Sequence, residues 1–207
     1  MQLSLAAAEL LLAEHAPPHE AWPHHCRQVA KVAGVIGQAL LAAKHPLDVD
    51  LLITQALVHD IGRAKTHGPL HGWTGFVMMR ARGYEAAGRG CLTHWLKGRS
   101  RAEVAAAAPW SSSVTKSAFD ALEPVPWQLL DSVLSYADSS VQHTTIVPIA
   151  QRHFDLYTRY GESSWLRRAA ELGELHGAEI SAALGFSVET LLTPLFGNSA
   201  DGHSLRT

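Results

Sequence analysis

The stretch Ala56-Leu57-Val58-His59-Asp60-Ile61-Gly62-Arg63 decides how this chain is read. An apolar run ends abruptly in an adjacent imidazole and carboxylate, followed by a glycine and a cation. Polar groups beside so much apolar surface cost free energy unless something pairs with them, and a metal ion would satisfy both at once. The competing reading is a helix end with a partly solvated polar pair, and on the dipeptide alone that reading is favoured. The balance shifts with the number of other His and Asp residues in matching positions elsewhere in the chain.

Residues 49–60 form the helix that delivers the pair, with Leu52, Ile53, Ala56 and Leu57 facing inward. Gly62 is expected to end it in the left-handed conformation. Upstream, Pro23 sits where a first-turn proline would and opens a helix running to about Lys44. Its apolar stripe is Val29, Val32, Ala33, Ile36 and Leu40, and one turn back that stripe reaches His25. Downstream comes a polar loop carrying Lys65 and His67, then a helix from about Leu70 to Arg82 with His71, closed by Gly83. A helix over Glu85–Leu96 carries Cys91 and His94, and a basic turn, Lys97-Gly98-Arg99-Ser100-Arg101, follows directly.

Residues 102–125 are rich in Ala, Ser and Pro and read as a short helix and an irregular connection, a candidate pocket wall anchored by Trp110 and Phe119. In the helix predicted over Trp127–Val141, Asp138 continues the apolar face of Leu130 and Leu134. A carboxylate there needs a partner, and no Lys or Arg lies within a turn of it. Residues 3–15, 147–160 and 163–184 read as further helices, with a short helix and a loose tail from Phe186. There is no strand–helix alternation and no hairpin signal. The expected fold is all-α, a helical bundle forming one domain over 1–207, with its motif region at about 22–143 and C-terminal helices over 147–195 packed on it.

Composition narrows the class. The chain has 207 residues, 47% hydrophobic and 17% charged, which fits a globular protein with a sizeable core. A net charge of -2 gives no basic footprint for a nucleic-acid polymer. Two cysteines, Cys26 and Cys91, are too few for a disulfide framework or a Cys-rich zinc site. The N-terminus lacks a basic region and carries Glu9 and Glu14 within its apolar pattern, and no apolar run approaches the ~20 residues that span a bilayer. A cytoplasmic location, without membrane attachment, is the expectation. The Trp-bearing C-terminal helices would either form a homodimer interface or close the core.

The inward or site-adjacent polar residues His25, His59, Asp60, His71, His94 and Asp138 come from five separate helices. Their order resembles the H…HD…H…H…D pattern of the HD superfamily of metal-dependent phosphohydrolases, from about His24 to Asp138. The likeness is greatest to a small, largely archaeal group of stand-alone HDIG-type proteins. It is carried by His25-Cys-Arg-Gln-Val-Ala, Leu57-Val-His-Asp-Ile-Gly-Arg-Ala-Lys-Thr-His-Gly, His71-Gly-Trp-Thr-Gly, Thr93-His94 and Ser135-Tyr-Ala-Asp138. The His-His-Glu and Gly-Tyr-Pro motifs of cyclic-di-GMP phosphodiesterases are absent. Thr93-His94-Trp95 also departs from the His-x-Gly-x-Gly-Leu of the nearest group, which bears on a second ion.

The resemblance implies that His25, His59, Asp60 and Asp138 hold one divalent transition metal, with Asp60 able to bridge to a second ion served by His71 and His94. Imidazole and carboxylate donors suit Fe, Mn, Ni or Zn. It implies metal-dependent hydrolysis of a small phosphorylated substrate, a nucleotide or cyclic nucleotide, with Asp60, His59 and Arg63 in the catalytic group. Arg63 would hold a substrate phosphate, and Lys97 and Arg99 would assist it. As a helix C-terminal cation, Arg63 has a nearly equal structural reading. Two other readings stay open on the same ligands: a di-iron oxygenase, and a nucleotide-binding module without turnover.

Overall fold

The imidazoles and carboxylates singled out above are carried by helices that cross a common centre. The computed structural model describes residues 1–17 and 19–199. Among them are eleven α-helices: α1 (Leu5–His15), α2 (Trp22–Ala42), α3 (Val49–Val58), α4 (His71–Ala81), α5 (Glu85–Leu96), α6 (Arg101–Ala107), α7 (Ser112–Leu122), α8 (Leu129–Ser139), α9 (Ile149–Tyr160), α10 (Ser164–Leu184) and α11 (Val188–Leu192). The all-α expectation holds, with one addition. Directly after α8, Val141–Gln142 (β1) and Thr145–Ile146 (β2) pair antiparallel as a very short hairpin. Two residues per strand are too few to leave an alternation in the sequence.

Local chemistry fixes the helix starts. Ser4, Asp48 and Ser163 accept from the backbone N–H three residues on, and Ser100 with Glu103 forms a reciprocal capping box. The apolar stripe of α2 is fully enclosed, with Val29, Val32, Ala33, Ile36 and Leu40 all at 0% exposure. It packs along α3, and α8 lies across α2, α3 and α5 with α10 on its other side. The helix ends at Gly83, Gly161 and Gly185 all have positive φ, as an abrupt stop requires.

Two expectations need correction. Gly62 does not close α3 in a left-handed turn, because a 3-10 turn over Ile61–Ala64 follows instead and the positive-φ glycines do not include it. Gly62 is required for space: a Cβ there would lie 2.0 Å from the His71 carbonyl oxygen and 2.6 Å from the Gly75 nitrogen. The chain after Asp60 thus runs hard against the start of α4 and draws His71 toward the pair. The second correction concerns 102–125, where two helices, α6 and α7, stand in place of one helix and an irregular connection. Their Ala and Ser content hid the periodicity of the second.

No described helix is long and apolar enough to cross a membrane. Residues 200–207 of the expected tail lie outside the described residues.

Candidate metal centre

His25 stands in the first turn of α2, and His59 and Asp60 follow directly on α3. His71 is the first residue of α4, His94 lies in the last turn of α5, and Asp138 in the last turn of α8. The fold brings all six together. His59 Nε2 is 3.8 Å from Asp138 Oδ1 and 3.9 Å from Asp60 Oδ2. Asp60 Oδ1 is 3.4 Å from Nε2 of both His71 and His94. His25 Nε2 is 3.1 Å from Asp138 Oδ1.

The orientation of the four rings is uniform. Nδ1 of His25 donates to the His143 carbonyl at 2.9 Å, Nδ1 of His59 to Ala56 at 2.7 Å, Nδ1 of His71 to Gly68 at 3.0 Å, and Nδ1 of His94 to Gly90 at 3.0 Å. A carbonyl only accepts, so a ring in its neutral form carries its proton on Nδ1 and turns a bare Nε2 lone pair toward the centre. The Nε2 atoms of His71 and His94 then face each other at 3.3 Å without a proton between them. His59 Nε2 and Asp60 Oδ1 are buried and have no hydrogen-bond partner among the described residues.

Protonation follows from the surroundings. Burial lowers His59 to about 3, despite the opposing field of Asp60, and burial likewise lowers His71 to about 4. Both rings are therefore neutral near pH 7. Burial pushes the Asp60 carboxyl upward, and the Arg63 guanidinium held against it draws the group the other way, to well below the usual range. For Asp138 burial is outweighed in the same way, above all by the Lys97 ammonium. His59 Nε2 and Asp60 Oδ1 converge here without a donor between them, and a cation would satisfy both. The donors of His25, His59 and Asp138, and those of His59, Asp60 and His94, form two groups whose atoms all lie within 4.8 Å of one another. The residues present therefore fit a metal ion.

The cysteines do not join this centre. Cys26 and Cys91 are buried, which raises both thiols, and Cys91 Sγ donates to the Val58 carbonyl at 3.3 Å. His24 is exposed, and His67 is exposed too, with Nε2 3.5 Å from Glu20 Oε1.

Among the expected cations, Arg63 donates from Nε to Asp60 Oδ2 at 2.5 Å. Lys97 supplies the partner that local sequence denied to Asp138, donating to Oδ2 at 2.8 Å and to Ser139 Oγ at 3.1 Å. Arg99 is 4% exposed; its guanidinium lies 3.8 Å over the Trp165 ring and donates to the Leu96 and Trp165 carbonyls. That is a packing role on the cavity wall. Lys65 lies on the 3-10 turn and ends it.

Two recesses open onto the centre. The larger, about 540 Å³, reaches from His25, Asp60 and His94 to Trp110 and Trp165. The smaller, about 300 Å³, shares Arg63 and Arg152 with it and adds Arg159, His67 and His143. Arg152, His153 and His143 had no signal in the sequence, since they stand in a hairpin and a helix beyond the motif. Residues 102–125 do contribute a wall, through Ala107, Pro109 and Trp110.

Comparison with known proteins agrees with this geometry. The chain is 36% identical over 61 residues to an uncharacterized protein of Methanocaldococcus jannaschii, an alignment covering 30% of this chain and 36% of that relative. The shared part is thus about a third of the relative's length. No solved structure matches the chain significantly. The family model that matches is the HD domain, over residues 24–107, which takes in His25, the His59-Asp60 pair, His71 and His94.

Proposed function

We propose that the protein is a metal-dependent phosphohydrolase acting on a small phosphate ester, a nucleotide or cyclic nucleotide, and that it is of the HDIG type. The observation that carries this reading is the common tautomer of the four histidines, which aims four Nε2 lone pairs at two ionised carboxylates. His25, His59, Asp60 and Asp138 would hold the first ion. Asp60 turns its two oxygens to different sides, Oδ2 toward Arg63 and Oδ1 toward His71 and His94, which suits a bridging role to a second ion. When bound, the metal supplies Lewis-acid polarisation of a phosphoryl oxygen and lowers the pKa of water.

The chain's own residues do the rest. Arg63 is partly exposed beside Asp60 and lines both recesses with Arg152, so a phosphate at the centre meets two guanidiniums. Lys97, held against Asp138, adds a third positive charge at the cavity wall. Burial of His59 and Asp60 keeps bulk water from competing for their lone pairs.

The test is phosphate release from a panel of phosphomonoesters and diesters by protein loaded separately with Mn, Fe, Ni and Zn. Turnover with at least one metal, lost in Asp60→Ala, is expected. A panel left untouched by every loaded form contradicts the reading.

A further inference from the structure

The larger recess changes chemistry as it leaves the metal centre. Next to His94 stands Trp95, and from it the indoles run in a connected row. Trp95 and Trp110 are stacked with ring centres 4.3 Å apart, and Trp110 meets Trp165 edge-on at 5.5 Å. All three line the cavity, together with Pro109, Leu156 and Leu166.

The row is held in place by its edges and backs. Trp95 Nε1 donates to the Pro69 carbonyl at 2.8 Å, and Trp110 Nε1 to Thr115 Oγ1 at 3.1 Å. Helix α4 passes so close to Trp95 that a Cβ on Gly72 would lie 2.4 Å from its Cγ. Arg99, which also lines the recess, stacks on Trp165. Trp95 is buried and backs the row, and with its own N–H spent inside the protein Trp110 offers a ligand apolar and π surface. Trp110 and Trp165 remain half-buried at a cavity wall, although burying such rings is favourable.

Charge narrows what can sit there. The acidic residues lining the recess are Asp60 and Asp138, both committed to the centre, so a cationic group on the indole row would find no carboxylate of its own. His153 lines the same recess, is 5% exposed, and neither ring nitrogen has a hydrogen-bond partner among the described residues. It is a buried polar group left unpaired at the cavity wall. Trp110, His153, Trp165 and Leu166 all lie beyond the HD-domain match.

We propose that the row Trp95–Trp110–Trp165 seats an uncharged flat ring carried by the substrate, so that the site takes aryl or heteroaryl phosphate esters, nucleobases included, over phosphorylated sugars and aliphatic alcohols. The phosphate end of that statement rests on the phosphohydrolase reading; the ring end does not.

Binding, measured apart from turnover, tests it. Calorimetry and tryptophan fluorescence on metal-stripped protein would compare AMP, UMP and phenyl phosphate with ribose 5-phosphate and glycerol 1-phosphate, and adenosine with ribose. Ring-bearing probes are expected to quench fluorescence and bind at least ~10-fold tighter than their ring-free counterparts, as base–aromatic stacking allows. Trp110→Ala should reduce the preference to under ~3-fold and leave ring-free binding unchanged. Trp110→Leu, which keeps apolar bulk, serves if the alanine variant loses its helical signal. Equal binding of ring-bearing and ring-free probes, or a preference that survives both variants, overturns the proposal. Failure of phosphate release would overturn the hydrolase reading and leave this one standing.

Discussion

The ammonium of Lys97 donates to Asp138 at 2.8 Å across the gap between α5 and α8. This is how a carboxylate can continue the apolar face of Leu130 and Leu134. Lys97 reaches it from a left-handed backbone position, φ 53°, with Gly98 at φ 78° beside it. Each side chain of the pair is 15% exposed, so removing one strands the other in a poorly solvated place. Lys97→Met should therefore destabilise the metal-free protein by about 3 kcal/mol. A bound cation gives Asp138 another partner, so the loss should shrink when metal is present. Urea unfolding with and without Mn measures both.

Gly62 makes a sharper steric prediction. Gly62→Ala forces a methyl to within 2.0 Å of the His71 carbonyl and should cost ~3 kcal/mol or more, or prevent folding. Gly68→Ala, whose Cβ would meet Thr66 Oγ1 at 3.3 Å, should stay close to wild type. Thermal unfolding of the two variants side by side checks the contrast.

The metal-free protein should lose stability in mild acid. Folded His59 is lowered to about 3 and His71 and His153 to about 4, so between those values and the ordinary ~6.5 the unfolded chain binds more protons. The stabilisation is full above ~6.5 and is lost as pH falls through that window, with a slope of ~1.4 kcal/mol per pH unit for each histidine. Denaturant midpoints at pH 7.5, 6, 5 and 4 would trace it. A flat profile from 7.5 to 4 would contradict the neutral, buried state of these rings.

Part of the convergent set was legible in the sequence because its members stand within or against an apolar pattern, whereas His71 and His94 entered through the family resemblance. His25 extends the α2 stripe, Asp138 interrupts the α8 face, and the His59-Asp60 pair ends an unbroken run. What stayed hidden depends on approach between distant segments. The partner of Asp138 lies 41 residues away. The carbonyl that orients His25 belongs to His143, at φ 54° in a hairpin turn. Gly62 looked like a helix stop and is instead a point of contact with α4. Arg99 looked like a free cation, yet its guanidinium is spent on Trp165 and two carbonyls. The indole row joins residues 95, 110 and 165, whose spacing carries no period.

Asp60→Ala should remove metal binding and leave the helical fold largely intact, because the side chain lies at the meeting point of the ligands rather than in the apolar core. Far-UV circular dichroism close to wild type, with metal affinity reduced at least ~100-fold, is the expected pair of results.

The most direct test is the metal content of protein purified anaerobically without chelator, then titrated with Mn, Fe, Ni and Zn by calorimetry. The convergent Nε2 atoms predict one to two transition-metal ions per chain, with binding lost in Asp60→Ala. Two ions would place His71 and His94 among the ligands; one would confine the site to His25, His59, Asp60 and Asp138. Protein that holds no metal as purified and takes up none on titration would contradict the account at its centre.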